Sequence, residues 1–369
     1  MATNNEKIIT VVGARPQFIK SAPVSHALRK YSKYHEVLVH TGQHYDRNMS
    51  ETFFDELDMN PPAYNLGTGS GSHAEQTAKI MERFETVLTK ERPQLIIVYG
   101  DTNSTLAGAL TASKLHIPIA HVEAGLRSFN RRMPEEINRI VADHISELLF
   151  CPTKRAVLNL NNEGIKENVF YCGDVMFDAA LEFSKKAEER GISHNRLEIN
   201  KKGYVLATVH RAENTDNRQR LSNILLALQK VSRDLPVVMP LHPRTRKMIH
   251  YFALEDRLQG LSVTEPLGFL DMLYYEKNAS LIITDSGGVQ KEAYFCRVPC
   301  VTLRDETEWV ETLEAHWNVL ADVDSIEGIN EPIRASLFFS GTRLNIDEYG
   351  DGRASQKIVQ ELERYLDRL

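Results

Sequence analysis

Short runs of aliphatic and β-branched residues alternate along the chain with longer stretches whose apolar positions recur every three to four residues. The runs predict strands at residues 8–12, 37–40, 95–99, 117–121, 148–151 and 169–172, and again at 205–208, 237–240, 261–264, 281–284 and 299–303. Helical spacing falls between them, as at 16–30, 104–114, 220–232 and 269–277. Apolar runs without alternation suit strands covered on both faces, and strands alternating with helices imply parallel sheets. Two arrays of similar size predict an α/β chain of two doubly wound domains, 1–178 and 203–353, joined by a charged, irregular stretch at 179–202. The last helical stretch, 354–369, sets Ile358, Leu362, Tyr365 and Leu366 on one face and is expected to cross back to the first domain.

Composition narrows the class. The chain has 369 residues, which at about 150 per domain agrees with two domains. Formal charge is 44 − 50 = −6, which disfavours nucleic acid and anionic membranes as partners. Residues 1–7 are short and polar, and apolar runs such as 95–99 are far too short to span a bilayer, so a cytoplasmic protein is expected. Cys151, Cys172, Cys296 and Cys300 match neither a zinc site nor a redox pair and are expected to be buried thiols.

In open parallel sheets ligands bind beyond the carboxyl ends of the strands. With two such domains, the ligand is expected in a cleft between them. The first strand ends in Gly13-Ala14-Arg15-Pro16, with Lys20 following. Gly13 suits a tight turn and Pro16 a helix start, where Arg15 and Lys20 are either solvated charges or contacts to an anion. This is not GxGxxG, so a nicotinamide cofactor is disfavoured. Asp101 follows another strand, where it or Asn103 is an N-cap or a functional group. Glu123 ends a third strand, with Gly125 relieving the turn, and Glu135 and Glu136 open a helix at Pro134. Three carboxylates on one edge would repel, so at least one should have a raised pKa and serve acid–base chemistry.

In the second half His210-Arg211 follows a strand, and Leu241-His242-Pro243-Arg244 repeats the arrangement. His210 is read as a proton carrier or phosphate donor. Ser286-Gly287-Gly288 then leads from a strand into a helix, where two glycines let backbone amides approach a phosphate. Glu292 lies one turn further on the same face and could accept the hydroxyls of a ribose. These features together suggest a nucleotide diphosphate in the second domain and carboxylates of the first acting on the group attached to it. No metal cluster is evident in the sequence.

The motifs GARPQFIK, YGDTNST, HVEAGLRS, PEEINR, TVHRAEN, TDSGGVQKEA and YGDGRAS, in that order, resemble the non-hydrolysing UDP-N-acetylglucosamine 2-epimerases from Ile8 to the carboxy terminus. HTGQHYDRNMSE and TEWVE are most similar to a subgroup that includes UDP-2,3-diacetamido-2,3-dideoxy-glucuronate 2-epimerases. The resemblance implies a GT-B fold of two Rossmann-like domains facing across a cleft, usually dimeric. It implies inversion at C2 of a UDP-N-acetylhexosamine, by anti elimination of UDP to 2-acetamidoglucal and syn re-addition, without cofactor or metal.

The resemblance also implies roles. Asp101, Glu123 and Glu135 match the catalytic carboxylates and His210 the histidine near the diphosphate. Arg15 and Lys20 match basic contacts, Ser286, Gly287 and Gly288 the phosphate turn, and Glu292 the ribose acceptor. Leu267 and Met272 match uracil contacts, expected here through the backbone. Three departures stand out. Trp309 follows Thr307-Glu308 where relatives carry Arg, so a cation is lost or supplied by Arg304 or another residue. Gln17-Phe18 stands where Glu-Ala or Glu-Ile is common. The Gln43-His44-Tyr45-Asp46 stretch diverges beyond its Gln-His, where bacterial relatives help to hold an activating UDP-N-acetylglucosamine. A uronate substrate would need a basic partner, for which Arg131 or Arg132 is the candidate. The competing classes are an inverting GT-B glycosyltransferase, betrayed by transfer to an added acceptor, a hydrolysing relative that accumulates UDP, and a sensor that binds without turnover.

Overall fold

The computed structural model describes residues 6–43, 54–190 and 201–368. The chain folds as two units, Met1–Ala179 with Asp347–Leu369, and Ala180–Ile346. The first holds seven parallel strands, β1 (Lys7–Val12), β2 (His35–His40), β3 (Tyr64–Asn65), β4 (Leu95–Tyr99), β5 (Ile119–Val122), β6 (Leu148–Cys151) and β7 (Val169–Tyr171). Their order is β3-β2-β1-β4-β5-β6-β7. The second holds β8 (Val205–Thr208), β9 (Val237–Pro240), β10 (Ser262–Thr264), β11 (Leu281–Thr284), β12 (Cys300–Thr302) and β13 (Asn318–Leu320), ordered β10-β9-β8-β11-β12-β13. Both sheets are doubly wound, the α/β architecture of the GT-B class.

The unbroken apolar runs form these strands because both sheet faces are covered. In the second unit Val205, Ala207, Leu281 and Ile283 pack with Ile224, Leu225 and Leu228 of the helix Arg218–Val231. The alternate residues Leu206 and Ile282 join Tyr204, Tyr275 and Ala293 on the other face. In the first unit Ile9, Val11, Ile96 and Val98 pack with Ile80 and Phe84 of the helix His73–Glu91.

β3 and β13 carry no sequence signal: each is two or three residues long and includes a polar residue, and only pairing with β2 and β12 makes them strands. The helix Val175–Arg190 occupies 179–190, where the charged composition suggested irregular linker. Phe183 is buried there against Phe269, with ring centroids 5.7 Å apart. Residues 191–200 of that stretch lie outside the described residues. The C-terminal helix Ala354–Leu366 packs against the helix Arg15–Tyr31 of the first unit, burying Ile358, Val359, Leu362 and Leu366, with Tyr365 half-buried. Asp178 caps it, accepting from Ala354 N at 3.0 Å and from Ser355 N and Oγ at 2.8 and 2.6 Å.

The strand order reverses between β1 and β4 in the first sheet and between β8 and β11 in the second. At such a switch point the loops leaving the two strands diverge to opposite faces and open a crevice. The motifs after β1, β4, β8 and β11 therefore flank the two switch points.

Candidate active site

At the first switch point the loops after β1 and β4 are stitched together by Gln17. Its Oε1 accepts from Gly13 N at 2.9 Å and Ala14 N at 3.1 Å, and its Nε2 donates to Tyr99 O at 2.8 Å and Thr105 Oγ1 at 3.0 Å. Gln17 is buried, and only an amide both accepts and donates in this way. Gly13 is required for space rather than for a turn: its φ is not positive, and a Cβ there would overlap Ser104 Oγ and Thr41 Oγ1. Arg15 opens the helix Arg15–Tyr31 and is partly exposed, with Pro16 second.

Neither Asp101 nor Asn103 caps the following helix Asn103–Lys114. Thr102 does, accepting from Ser104 N and Thr105 N. Asp101 is left to pair with Arg139 Nη2 at 2.7 Å, and its carbonyl accepts from Asn138 Nδ2 at 2.8 Å. Glu123 pairs with Lys20 Nζ. Cations thus stand beside two of the three acids expected to repel one another. Glu123 also holds φ at +75°, a costly conformation for a residue with a Cβ. Gly100 lies beneath the pair: a Cβ there would stand 3.2 Å from Glu123 Oε2 and 3.3 Å from Lys20 Nζ.

Of the two acids that open the helix Pro134–His144, Glu136 is buried and Glu135 exposed. Glu136 accepts from Ser128 N at 2.9 Å, Ser128 Oγ at 3.0 Å, Phe129 N at 2.9 Å and Arg139 Nη1 at 2.7 Å. Burial alone would raise its pKa, but these hydrogen bonds bring it below the usual value. Glu136 thus closes the loop, while Glu135 makes no hydrogen bond or ion pair among the described residues.

Gly125, two residues after Glu123, has φ +79°, and a Cβ there would overlap the carbonyl oxygen of Ala156. Gly125→Ala is expected to cost about 2–4 kcal/mol, the left-handed penalty plus the overlap. Denaturant unfolding checks this; a loss below about 0.5 kcal/mol, the scale of a neutral surface change, would contradict the geometry.

At the second switch point Asp285 is fully buried at the end of β11 and accepts from His210 N at 3.0 Å, Arg211 N at 3.0 Å and Asn214 Nδ2 at 3.1 Å. The His210 ring places Nδ1 3.4 Å from Asp285 Oδ1 and stays 39% exposed. The ring of His242 lies 5.4 Å from that of His210. Burial, then the neighbouring His210, holds the His242 pKa below its ordinary value. His242 caps the helix Pro243–Tyr251, and Arg244 is tied to Thr215 and Asp216, so this second pair is structural.

Ser286 caps the helix Gly287–Phe295 through Val289 N. Gly287 and Gly288 have no positive φ, and a Cβ on either would meet nothing closer than 3.6 Å. Nothing among the described residues demands glycine there. Their missing side chains leave free space over the helix amino terminus, bordered at Gly287 by Arg211 Nη2, Trp309 Nε1 and Glu308 Oε2. Open amides with a guanidinium beside them can hold an anion. Glu292 is partly buried one turn on.

A family model described as UDP-N-acetylglucosamine 2-epimerase matches residues 26–363. The chain belongs to the UDP-N-acetylglucosamine 2-epimerase family. It is 52% identical over 360 residues to a UDP-N-acetylglucosamine 2-epimerase homolog of Methanococcus maripaludis, covering 96% of this chain and 99% of that one. It is 48% identical over 363 residues to a UDP-2,3-diacetamido-2,3-dideoxy-D-glucuronate 2-epimerase of Pseudomonas aeruginosa, with 96% and 99% covered. The crystal structure of Methanocaldococcus jannaschii UDP-GlcNAc 2-epimerase in complex with UDP-GlcNAc and UDP superposes with TM-score 0.85 at 44% identity, over 97% of this chain and 99% of that one.

Within this epimerase-family chain the surroundings of two expected contacts can be described. Arg304, one expected replacement for the cation absent at Trp309, is itself ion-paired. It is bound to Glu308, at 2.8 and 3.1 Å, and these bonds outweigh burial in lowering the Glu308 pKa. Arg211, beside Gly287, and Lys291, whose Nζ lies 4.1 Å from the Trp309 ring centroid, are cations of that neighbourhood. Met272 offers no backbone donor to a base, because its N–H bonds Gly268 O at 3.0 Å within the helix Phe269–Asn278. Leu267 and Met272 rest their side chains against the core. Gln43 Oε1 accepts from Ser104 Oγ at 2.7 Å, while the divergent stretch after it, 44–53, lies outside the described residues.

Sequence reasoning passed over Asp285, Arg139 and Asn138, although each lay inside a motif. The missing signal was pairing, which no linear spacing displays. Among the described residues no three His, Cys, Asp or Glu side chains are placed to hold a metal ion, and no helix is long and apolar enough to cross a membrane. All four cysteines are free, three of them buried, and burial pushes the Cys300 thiol up to about 12.

Proposed function

We propose that the chain is a non-hydrolysing UDP-N-acetylglucosamine 2-epimerase that interconverts UDP-GlcNAc and UDP-ManNAc. The observation that carries this reading is the pair of ion-paired carboxylates, Asp101–Arg139 and Glu123–Lys20, on the loops after β4 and β5. Carboxylates on loops leaving the strands of a parallel sheet stand where such a sheet binds its ligand, and a carboxylate positioned there can serve as a general base.

Elimination breaks the C2–H and C1–O bonds. The base takes the C2 proton and UDP leaves with the C1–O electron pair, giving 2-acetamidoglucal. UDP then adds back at C1 while a proton reaches the other face of C2, giving the manno sugar. Asp101, Glu123 and Glu135 share this work: two exchange the C2 proton on opposite faces and the third supports positive charge developing at the ring. The negative charge on departing UDP meets the open amides at Ser286–Gly288, with Arg211 and His210. Glu292 accepts the ribose hydroxyls, and the backbone at Leu267 meets the base. Each step moves a proton and an electron pair with no hydride transfer, so the route needs no redox cofactor.

Proton NMR of the protein with UDP-GlcNAc in D2O, with no cofactor and with EDTA present, tests this. Deuterium at C2 with a growing manno signal is the expected result. Absence of both would overturn it.

A second reading, epimerisation of a UDP-diacetamido-uronate, is favoured by the 48% relative and by the exposed Arg131 and Arg132 ahead of Pro134, which could meet a substrate carboxylate. Turnover of the two substrates side by side separates the readings, and an inert uronate eliminates the second. The three buried thiols suit a reducing cytoplasm. A homodimer is the assembly the family resemblance implies, and sedimentation at twice the chain mass is the expected result.

A further inference from the structure

Behind the paired carboxylates lies a sealed polar network. His121, in β5, sets Nδ1 2.7 Å from Asp143 Oδ1 and Nε2 2.8 Å from the carbonyl oxygen of Gly100. Both partners are acceptors, and the ring lies between them within hydrogen-bond distance of each. Asp143 Oδ2 accepts from Gly125 N at 3.1 Å and from Arg127 Nη1 at 2.6 Å. Arg127 in turn grips Glu163 with two bonds of 2.7 Å. The side chains of His121, Asp143 and Arg127 are at most 1% exposed.

The network joins three elements. Gly100 immediately precedes Asp101. Gly125 lies two residues beyond Glu123. Asp143 stands on the helix Pro134–His144, which carries Glu135 and Arg139. A shift of one element is transmitted to the other two, because the partners are in direct hydrogen-bond contact. On the reading that Asp101, Glu123 and Glu135 act on the sugar, we infer that His121 and Asp143 are positioning residues whose hydrogen bonds hold the loops of Asp101 and Glu123 in register with the helix of Glu135. Neither touches the substrate. They set where the carboxylates stand, and misplacing a catalytic group by about 1 Å can cost about 10²-fold in rate.

The test compares wild type with His121→Phe, His121→Gln and Asp143→Asn, using UDP-GlcNAc turnover and melting curves. His121→Phe fills the site without donors and is expected to lower kcat by about 10–100-fold with KM within about threefold. His121→Gln keeps one donor for Gly100 O and is expected to recover part of that loss. Asp143→Asn keeps the shape but turns an N–H2 toward donors, and its kcat is expected to fall as far as that of His121→Phe. Wild-type kcat in folded His121→Phe would overturn the inference while leaving the epimerase reading intact. So would a kcat loss that Gln does not relieve, or failure of all three variants to fold, which would mark a purely structural knot. A wild type inert toward UDP-GlcNAc would overturn the functional reading and this inference with it.

Discussion

Glu123→Gln is expected to lower the rate of C2 inversion by about 10²–10⁴-fold, the range general acid–base groups contribute. Glutamine matches the shape of Glu123, so the change isolates the charge. The amide cannot take the C2 proton, and it leaves the ammonium of Lys20 half-buried without its counter-ion. A stability loss of about 1–3 kcal/mol should accompany the kinetic one. Asp101→Asn should match it in rate with less loss of stability, because Arg139 keeps its bond to Glu136. KM for UDP-GlcNAc should change only a few-fold in both, since the diphosphate is assigned to other residues. NMR progress curves and thermal melts supply the readout. A variant of either kind that keeps more than a tenth of wild-type turnover would remove that residue from proton transfer. The positive φ of Glu123 points the same way, because a strained conformation at a non-glycine residue persists where the surroundings over-determine it.

Gln17→Leu is expected to destabilise the first unit by about 3–5 kcal/mol, at the upper end for a single substitution. The leucine would strip the amides of Gly13 and Ala14 of their acceptor and Thr105 Oγ1 of a donor. Tyr99 O would keep its bond from Thr105 Oγ1. At roughly 2–4 °C per kcal/mol for a unit of this size, the melting midpoint should fall by on the order of 10 °C. Turnover should fall as well, because Gln17 ties the loop of Arg15 to the loop of Asp101. Gln17→Glu should also destabilise, since it keeps the acceptor and loses the donor to Tyr99 O. A Gln17→Leu protein with an unchanged melting curve would show that the stitch between β1 and β4 is dispensable.

The order of strands and helices was legible in the linear pattern because it depends on local periodicity and burial on both faces. β4, β6, β8, β9 and β11 stand at the residues their apolar runs marked. Types of chemistry were legible too, since glycines at a strand end and acids after strands are local features. What the sequence could not carry is pairing across distance. Gln17 is one polar letter in a motif until Tyr99 and Thr105 come within its reach, 82 and 88 positions away. Glu135 and Glu136 are equivalent on paper, and only packing buries one and exposes the other. Likewise three acids on one edge predict repulsion, and only the tertiary structure brings Lys20 and Arg139 beside two of them. Residue type and spacing determined which groups are available. The folded chain decided their partners, because Coulomb and hydrogen-bond energies depend on separations in space that sequence distance does not encode.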